Sequence, residues 1–303
     1  MCADSPAPYS RGARGIDHLV IAGRDLDALA EDYRRLGFTV GTRNRHPWGT
    51  ENHIVQFPGC FLELIGVGSG AAIQPGQGRS YSFGGFVEHY LRRREGLAML
   101  VLESRDARAD AQAYAEARVG DFEPFFFERQ GVKADGTAAR VAFTLAFAAM
   151  KDAPLAGFFV CQQHEPQNFW NTLAQSHANG VFGISRVSLV ADDPSDCHEF
   201  LGAFIGQRAM RATSFGLELE TGRGIVEVLS AEGFAFRYGA PPLRTGTTPQ
   251  FAAAMFRVAD CDAAERFLAG AGVAAVRSPG GCLALRDELH GLRLAFEQQG
   301  VLP

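Results

Sequence analysis

The chain has no Cys-x-x-Cys spacing, no long apolar run and no block of like charge. Its six cysteines, Cys2, Cys60, Cys161, Cys197, Cys261 and Cys282, are scattered. Such scatter argues against a disulfide framework or a zinc ribbon and reads as reduced thiols in a cytoplasmic protein. No stretch reaches the roughly 18 apolar residues of a membrane span. The opening Met1-Cys2-Ala3-Asp4-Ser5-Pro6 has neither the charge nor the apolar core of a secretory signal. Lys and Arg number 29 against 34 Asp and Glu, a net charge of −5. They form no basic stripe, so neither nucleic acid nor a membrane is an expected partner. The one basic cluster, Arg92-Arg93-Arg94, is expected on a solvated helix face. What is present is 47% apolar and 21% charged residues over 303 positions. This is the composition of a folded chain of about two domains.

Four segments begin alike. Gly15-Ile-Asp-His-Leu-Val-Ile-Ala reads as a strand, Asp25 as a helix start, and Leu26, Leu29, Ala30, Tyr33 and Leu36 recur at helical spacing before Gly37. Gly183-Ile-Ser-Arg-Val-Ser-Leu-Val with Asp193 repeats this at an offset of 168, which lays Arg186 on His18. Further copies open at Leu97 with Asp106 and at Phe251 with Asp260. Strand-like runs follow each helix and end in Cys60-Phe-Leu-Glu-Leu-Ile, Gly157-Phe-Phe-Val-Cys-Gln, Ile225-Val-Glu-Val-Leu and Leu292-Arg-Leu-Ala-Phe. The fold class is therefore α+β: four βαβββ modules, each with a sheet face it cannot bury alone, pairing into two tandem domains at residues 14–165 and 182–299. Gln163 to Asn179 joins the halves, and Gly239 to Pro249 joins copies three and four.

Paired βαβββ modules, Ile16-Asp17-His18 on a first strand and Glu63 in Phe61-Leu-Glu-Leu on a last strand resemble the vicinal oxygen chelate superfamily of glyoxalase I, extradiol dioxygenases and fosfomycin- or bleomycin-resistance proteins. The segments His46-Pro-Trp-Gly-Thr-Glu-Asn-His53, Cys161-Gln-Gln-His164-Glu-Pro166 and His177-Ala-Asn-Gly180 are similar to its glyoxalase-like domain group. The resemblance implies a divalent metal ion (Fe, Mn, Ni, Co or Zn) in the cleft of a module pair, with ligands on the first and last strands. His18 and Glu63 occupy those positions. Met99 and Ala253, at the histidine position of copies two and four, cannot serve. Alternation along the last strand of module two sets Val160, Gln162 and His164 on one face, which makes His164 the expected third ligand and Gln162 a cleft residue. Two histidines and a carboxylate form the composition of a non-haem iron triad, although an extradiol dioxygenase would carry a histidine at Met99.

His46 to His53 is an elaboration of copy one. From Asp25 to Glu63 is 38 residues, and from Asp193 to Glu227 is 34. Trp48 and Asn52 are expected to line a pocket mouth, with His46 and His53 as proton carriers and Glu63 as ligand or base. The alternative is a structured turn at Pro47 and Gly49. His177-Ala-Asn-Gly180 is expected to serve interdomain packing and a turn. Phe122, Phe125, Phe126, Phe127, Phe143, Phe147, Phe158 and Phe159 crowd module two, mostly as core, with one face available as an aromatic cleft wall. Gly66-Val-Gly-Ser-Gly-Ala71 is no dinucleotide motif, because Pro75, Gly76 and Gly78 forbid the helix it needs. Cys161 and His164, at odd and even strand positions, do not form a thiol–imidazole pair.

The expected function is a metal-dependent lyase, isomerase or oxygenase of modules one and two, acting on a small molecule with adjacent oxygens. The alternative is metal-independent sequestration of an aromatic or amphipathic small molecule, as in resistance proteins. Modules three and four, with Arg186 at the histidine position and Arg293 at the acid position, are expected to be structural. A small-molecule ligand is the expected partner, and a homodimer is among the possible assemblies.

Overall fold

The computed structural model describes residues 13–132, 136–242 and 248–299. Module one runs β1 (Ile16–Ala22), α1 (Leu26–Arg35), β2 (Asn44–Arg45), β3 (Thr50–Phe57) and β4 (Cys60–Val67), and α2 (Phe83–Leu91) leads out of it. Module two is β5 (Gly96–Glu103), α3 (Ala107–Glu116), β6 (Phe125–Val132), β7 (Ala138–Ala148) and β8 (Gly157–Gln163). Module three is β9 (Val181–Val190), α4 (His198–Ile205), β10 (Arg211–Thr213), β11 (Gly216–Glu220) and β12 (Ile225–Leu229), followed by α5 (Ala231–Tyr238). Module four is β13 (Gln250–Val258), α6 (Cys261–Gly270), β14 (Ala275–Arg277), β15 (Leu283–Leu285) and β16 (Arg293–Gln298). An aspartate opens the helical segment of every module. The carboxylates of Asp25, Asp106, Asp193 and Asp260 accept from backbone N–H groups of the first turn that have no partner within the helix. No helix among the described residues is long and apolar enough to cross a membrane.

The strands form two eight-stranded sheets, ordered β2-β3-β4-β1-β5-β8-β7-β6 and β10-β11-β12-β9-β13-β16-β15-β14. Within each module the first and last strands run parallel, and modules meet through an antiparallel pair of first strands, β1 with β5 and β9 with β13. The repeat extends to register: Val20 stands opposite Glu63, and 168 residues on Ser188 stands opposite Glu227. Both faces of each sheet are covered. Leu19, Leu62, Leu100 and Phe158 of the first sheet and Val187, Val226, Ala254 and Leu294 of the second belong to one continuous buried cluster, together with residues of α1, α4 and α6. The opposite face of each sheet has its own cluster, around Val20, Met99 and Phe159 in the first and Met255 and Ala295 in the second.

Specific contacts tie the halves. Phe38 meets Phe256 at 5.3 Å and Phe158 meets Phe251 at 5.4 Å between ring centroids. Arg94 corrects the expectation of a solvated basic cluster. Arg92 and Arg93 are exposed, but Arg94 is only 6% exposed and donates to Gln250 Oε1 at 2.7 Å and the Phe251 carbonyl at 2.8 Å. Helix α2 has already ended, so the third arginine is not on its solvated face.

The segment joining the sheets is clamped by His177, which accepts from Thr39 N–H at its Nδ1 (3.0 Å) and donates from Nε2 to the Gln56 carbonyl (2.9 Å). Both bonds together require the neutral ring, and burial lowers the His177 pKa further than the Gln56 contact raises it. A histidine with a lowered folded pKa gives stability that is complete above the unfolded value of about 6.5 and is lost as the pH falls from there through the folded value. His177→Gln is therefore expected to flatten the decline in unfolding free energy between about pH 6.5 and 5, measured by urea titration. An unchanged slope would remove His177 from the acid response.

Candidate functional site

The inner face of the first sheet, away from the shared core, forms a pocket of about 480 Å³ of empty space continuous with solvent. Its polar floor starts with a bulge. Opposite β5, Ile16 pairs with Leu102 and His18 with Val101, so Asp17 is the extra residue. Ile16 and Leu19 thereby enter the core while His18 faces the pocket. Its ring stacks on Phe61 (centroids 4.1 Å apart), and Nδ1 donates to Asp17 Oδ2 at 2.8 Å. Asp17 in turn accepts from Gln163 Nε2 at 2.9 Å. A carboxylate behind one nitrogen fixes the tautomer and orients the other. His18 Nε2 consequently stands 3.8 Å from Glu63 Oε2.

The hairpin of β2 and β3 supplies the opposite side. Gly49, at φ 92°, turns the chain so that Trp48 and His46 stack with centroids 4.5 Å apart. His46 Nδ1 meets Thr50 Oγ1 at 2.8 Å, and Nε2 lies 3.7 Å from Glu63 Oε1. Asn52 Nδ2 donates to Glu63 Oε1 at 2.5 Å and lies 3.3 Å from His46 Nε2. An amide nitrogen only donates, so His46 Nε2 accepts and its proton sits on Nδ1. Burial holds the His46 pKa below the usual range, against the upward pull of Glu63, and Arg129 lowers it further. At neutral pH the imidazole is a neutral acceptor. Glu63 thus lies between two imidazole Nε2 atoms whose Nδ1 atoms are tied elsewhere.

Module two provides the wall. Phe127 and Arg129 on β6, Phe143 and Leu145 on β7, and Phe159 and Cys161 on β8 line the pocket, together with Phe83 and Phe169. Trp48 meets Phe127 edge-on at 4.9 Å. Burial pushes the Cys161 thiol well above its ordinary range, and the nearby carboxylates of Asp17 and Glu63 push the same way, which makes it a poor nucleophile.

The structure brings His18, His46, Trp48, Asn52 and Glu63 together and leaves His164, Gln162 and His53 outside. His164 is exposed, contacts Thr144 Oγ1 at 2.8 Å and stands on the far side of β8. Gln162 accepts from Ala107 N–H and donates to the Arg105 carbonyl, securing the start of α3. His53 donates to the Gly41 carbonyl from the opposite face of β3. His53 lies between Asn52 and Ile54, which both line the pocket, so alternation along β3 sends it to the other face. For Gln162 and His164 the reason lies in β8. Phe158 to Cys161 is buried on both faces, so alternation cannot say which face meets the cleft, and the odd-numbered face does. The residue not anticipated is Arg129. Its signal was the spacing Phe125-x-Phe127-x-Arg129, which places it on the same face as the aromatic wall.

The second sheet sets charge at the corresponding place, where Arg186 and Glu218 border a cavity of about 860 Å³ of empty space continuous with solvent. Arg186, the counterpart of His18, donates from Nη1 to Glu218 Oε1 and Glu227 Oε2, each at 2.9 Å. Glu227, the counterpart of Glu63, also accepts from Ser188 Oγ at 2.5 Å and Tyr238 at 3.2 Å. In module four the buried Arg293 donates to the carbonyls of Leu285 and Arg286.

A divalent ion would find His18, His46 and Glu63 in the first pocket, a set that suits it in kind. As arranged, however, the nitrogen–oxygen separations of 3.8 and 3.7 Å exceed the roughly 3.0–3.4 Å between neighbouring ligands at bond lengths near 2.1 Å. Among the described residues no group of three or more His, Cys, Asp or Glu is placed to hold an ion.

Comparison with known proteins follows the same lines. Residues 16–205 match the family described as glyoxalase-like domain. No curated protein sequence matches the chain. Among solved structures, a hypothetical protein from Staphylococcus aureus is similar with TM-score 0.64 and 13% identity, over 94% of this chain and 99% of that one. A mutant 4-hydroxymandelate synthase from Streptomyces coelicolor is similar with TM-score 0.59 and 12% identity, over 96% and 94%. The Mn(II)-bound glyoxalase from Novosphingobium aromaticivorans gives TM-score 0.50 and 11% identity, over 94% and 82%. At such identities the structures speak for the fold alone, that of the vicinal oxygen chelate proteins. The family match covers well over half of the chain and includes every residue of the pocket, and on that match the chain belongs to the glyoxalase-like domain family.

Proposed function

We propose that the pocket of the first sheet takes a small aromatic molecule and moves a proton on it, as a lyase or isomerase does, with Glu63 as the proton acceptor. The observation that carries this is the position of Glu63, flanked by the Nε2 atoms of His18 and His46 at 3.8 and 3.7 Å on the floor of an aromatic pocket. Asn52 fixes Oε1, which leaves Oε2 turned to the cavity side of His18 as the proton-accepting atom. Trp48, Phe61, Phe127 and Phe159 supply faces and edges for a flat ring and displace water from it. The five described cysteines are free and buried, which supports cytoplasmic residence.

The test is titration with a screened aromatic probe. Trp48→Ala is expected to keep the fold and weaken binding at least about tenfold, equivalent to 1.4 kcal/mol, because it removes the largest ring of the wall. Unchanged affinity would make the hairpin a structural turn. Turnover of the bound probe separates an enzyme from a sequestering protein.

A second reading, a metal-dependent lyase, isomerase or oxygenase acting on adjacent oxygens, is supported by the two orientated Nε2 atoms aimed at one carboxylate. The ion would polarise a substrate oxygen, with His18, His46 and Glu63 holding it. On this reading, dialysis against Mn2+ or Zn2+ followed by elemental analysis yields one equivalent per chain, retained in His164→Ala and lost in His18→Ala and His46→Ala. No retained equivalent in the unaltered chain rejects it.

A further inference from the structure

Two residues that line the pocket carry hydrogen-bond donors with nothing to bond. Trp48 Nε1 is buried without an acceptor. Arg129 lines the same pocket and makes no side-chain hydrogen bond or ion pair among the described residues. The two side chains are on one side of the cavity, because the Trp48 indole meets Phe127 edge-on and Phe127 lies two residues from Arg129 on the same face of β6. A guanidinium half withdrawn from water beside phenylalanines, and an indole N–H withdrawn altogether, each carry a desolvation cost that an anionic acceptor offsets. Arg129 feels both effects: burial depresses its pKa, and the more distant Glu63 pulls it up.

We infer that the ligand is an aromatic acid, its ring held by the phenylalanines and its carboxylate taken by Arg129 with the Trp48 N–H as second donor. The inference rests on the aromatic-pocket reading and adds the charge and the direction of the ligand. Glu63 repels a carboxylate from the floor and Arg129 attracts it, so the acid enters with its remaining ring substituents towards Glu63. Arg129 is then a specificity residue that binds the substrate away from the atom where the proton moves. The planar fork of arginine suits a carboxylate better than the point charge of lysine.

Benzoate and benzamide have nearly the same shape and differ in charge, so calorimetric titration at pH 7.5 with each is the test. The unaltered chain should bind benzoate at least about tenfold more tightly than benzamide. Arg129→Gln should abolish that preference by weakening benzoate alone, and Arg129→Lys should retain part of it. Trp48→Phe, which keeps a ring and removes the N–H, should weaken benzoate severalfold more than benzamide. Equal affinity for the two probes in the unaltered chain, or a preference that persists in folded Arg129→Gln, overturns the inference while leaving an aromatic pocket in place. Binding of neither probe overturns both.

Discussion

Glu63→Gln is expected to lower turnover by about 10²- to 10⁴-fold while ligand affinity changes only a few-fold, the range in which a positioned general base contributes. The substitution is close to isosteric. The Asn52 amide can still donate to the remaining carbonyl oxygen, so the floor keeps its shape and loses only its charge and basicity. An effect confined to kcat is what distinguishes a reacting group from a packing group, since a residue that merely shapes the pocket changes binding as well. Full turnover in folded Glu63→Gln would transfer the proton-accepting role to His46, the neutral imidazole beside it.

Arg186→Met is expected to reduce the unfolding free energy by about 3–5 kcal/mol, with no effect on ligand binding in the first sheet. Arg186 bridges two carboxylates withdrawn from water, Glu227 at 0% and Glu218 at 9% exposure. Removing the cation leaves them facing each other, with Arg211 and Arg237 on Glu218 and only Arg237, at 3.4 Å, within reach of Glu227. Breaking a buried ion pair on one side costs far more than replacing the whole cluster with apolar residues, so Arg186→Met/Glu227→Gln should recover part of the loss. Urea titration measures both. A loss below about 1 kcal/mol in the single variant would mean that water or rearrangement relieves the cluster. The comparison carries a functional lesson. Where the first sheet has imidazole and carboxylate in an aromatic pocket, the second has a guanidinium held between two carboxylates beside a wider cavity with no aromatic residue in its described lining, which suits a structural partner.

Much of this was visible in the sequence because it follows from repetition. Asp25, Asp106, Asp193 and Asp260 marked the helix starts, and the 168-residue offset laid Arg186 on His18, with Glu227 on the last strand of copy three answering Glu63 at an offset shorter by the four residues of the hairpin. The extra length between Asp25 and Glu63 identified the hairpin that delivers His46, Trp48 and Asn52 to the pocket. What could not be read was direction. A strand such as Phe158-Phe159-Val160-Cys161 has apolar residues on both faces, so the side chains of Gln162 and His164 could be assigned to either. Asp17 was concealed by a bulge that strict alternation does not allow for. Arg94 looked like a surface charge and Arg129 went unnoticed because their surroundings, a second sheet for one and an aromatic cavity for the other, are distant in sequence.

The central claim is that the concave face of the first sheet, and not its charged counterpart in the second, is where a small molecule is bound. A structure of the chain in complex with an aromatic acid tests it most directly. The predicted result is a ring among Trp48, Phe127 and Phe159 with its carboxylate on Arg129 and its far edge towards Glu63. A ligand seated beside Arg186 and Glu218, with the first pocket free of it, would contradict the account.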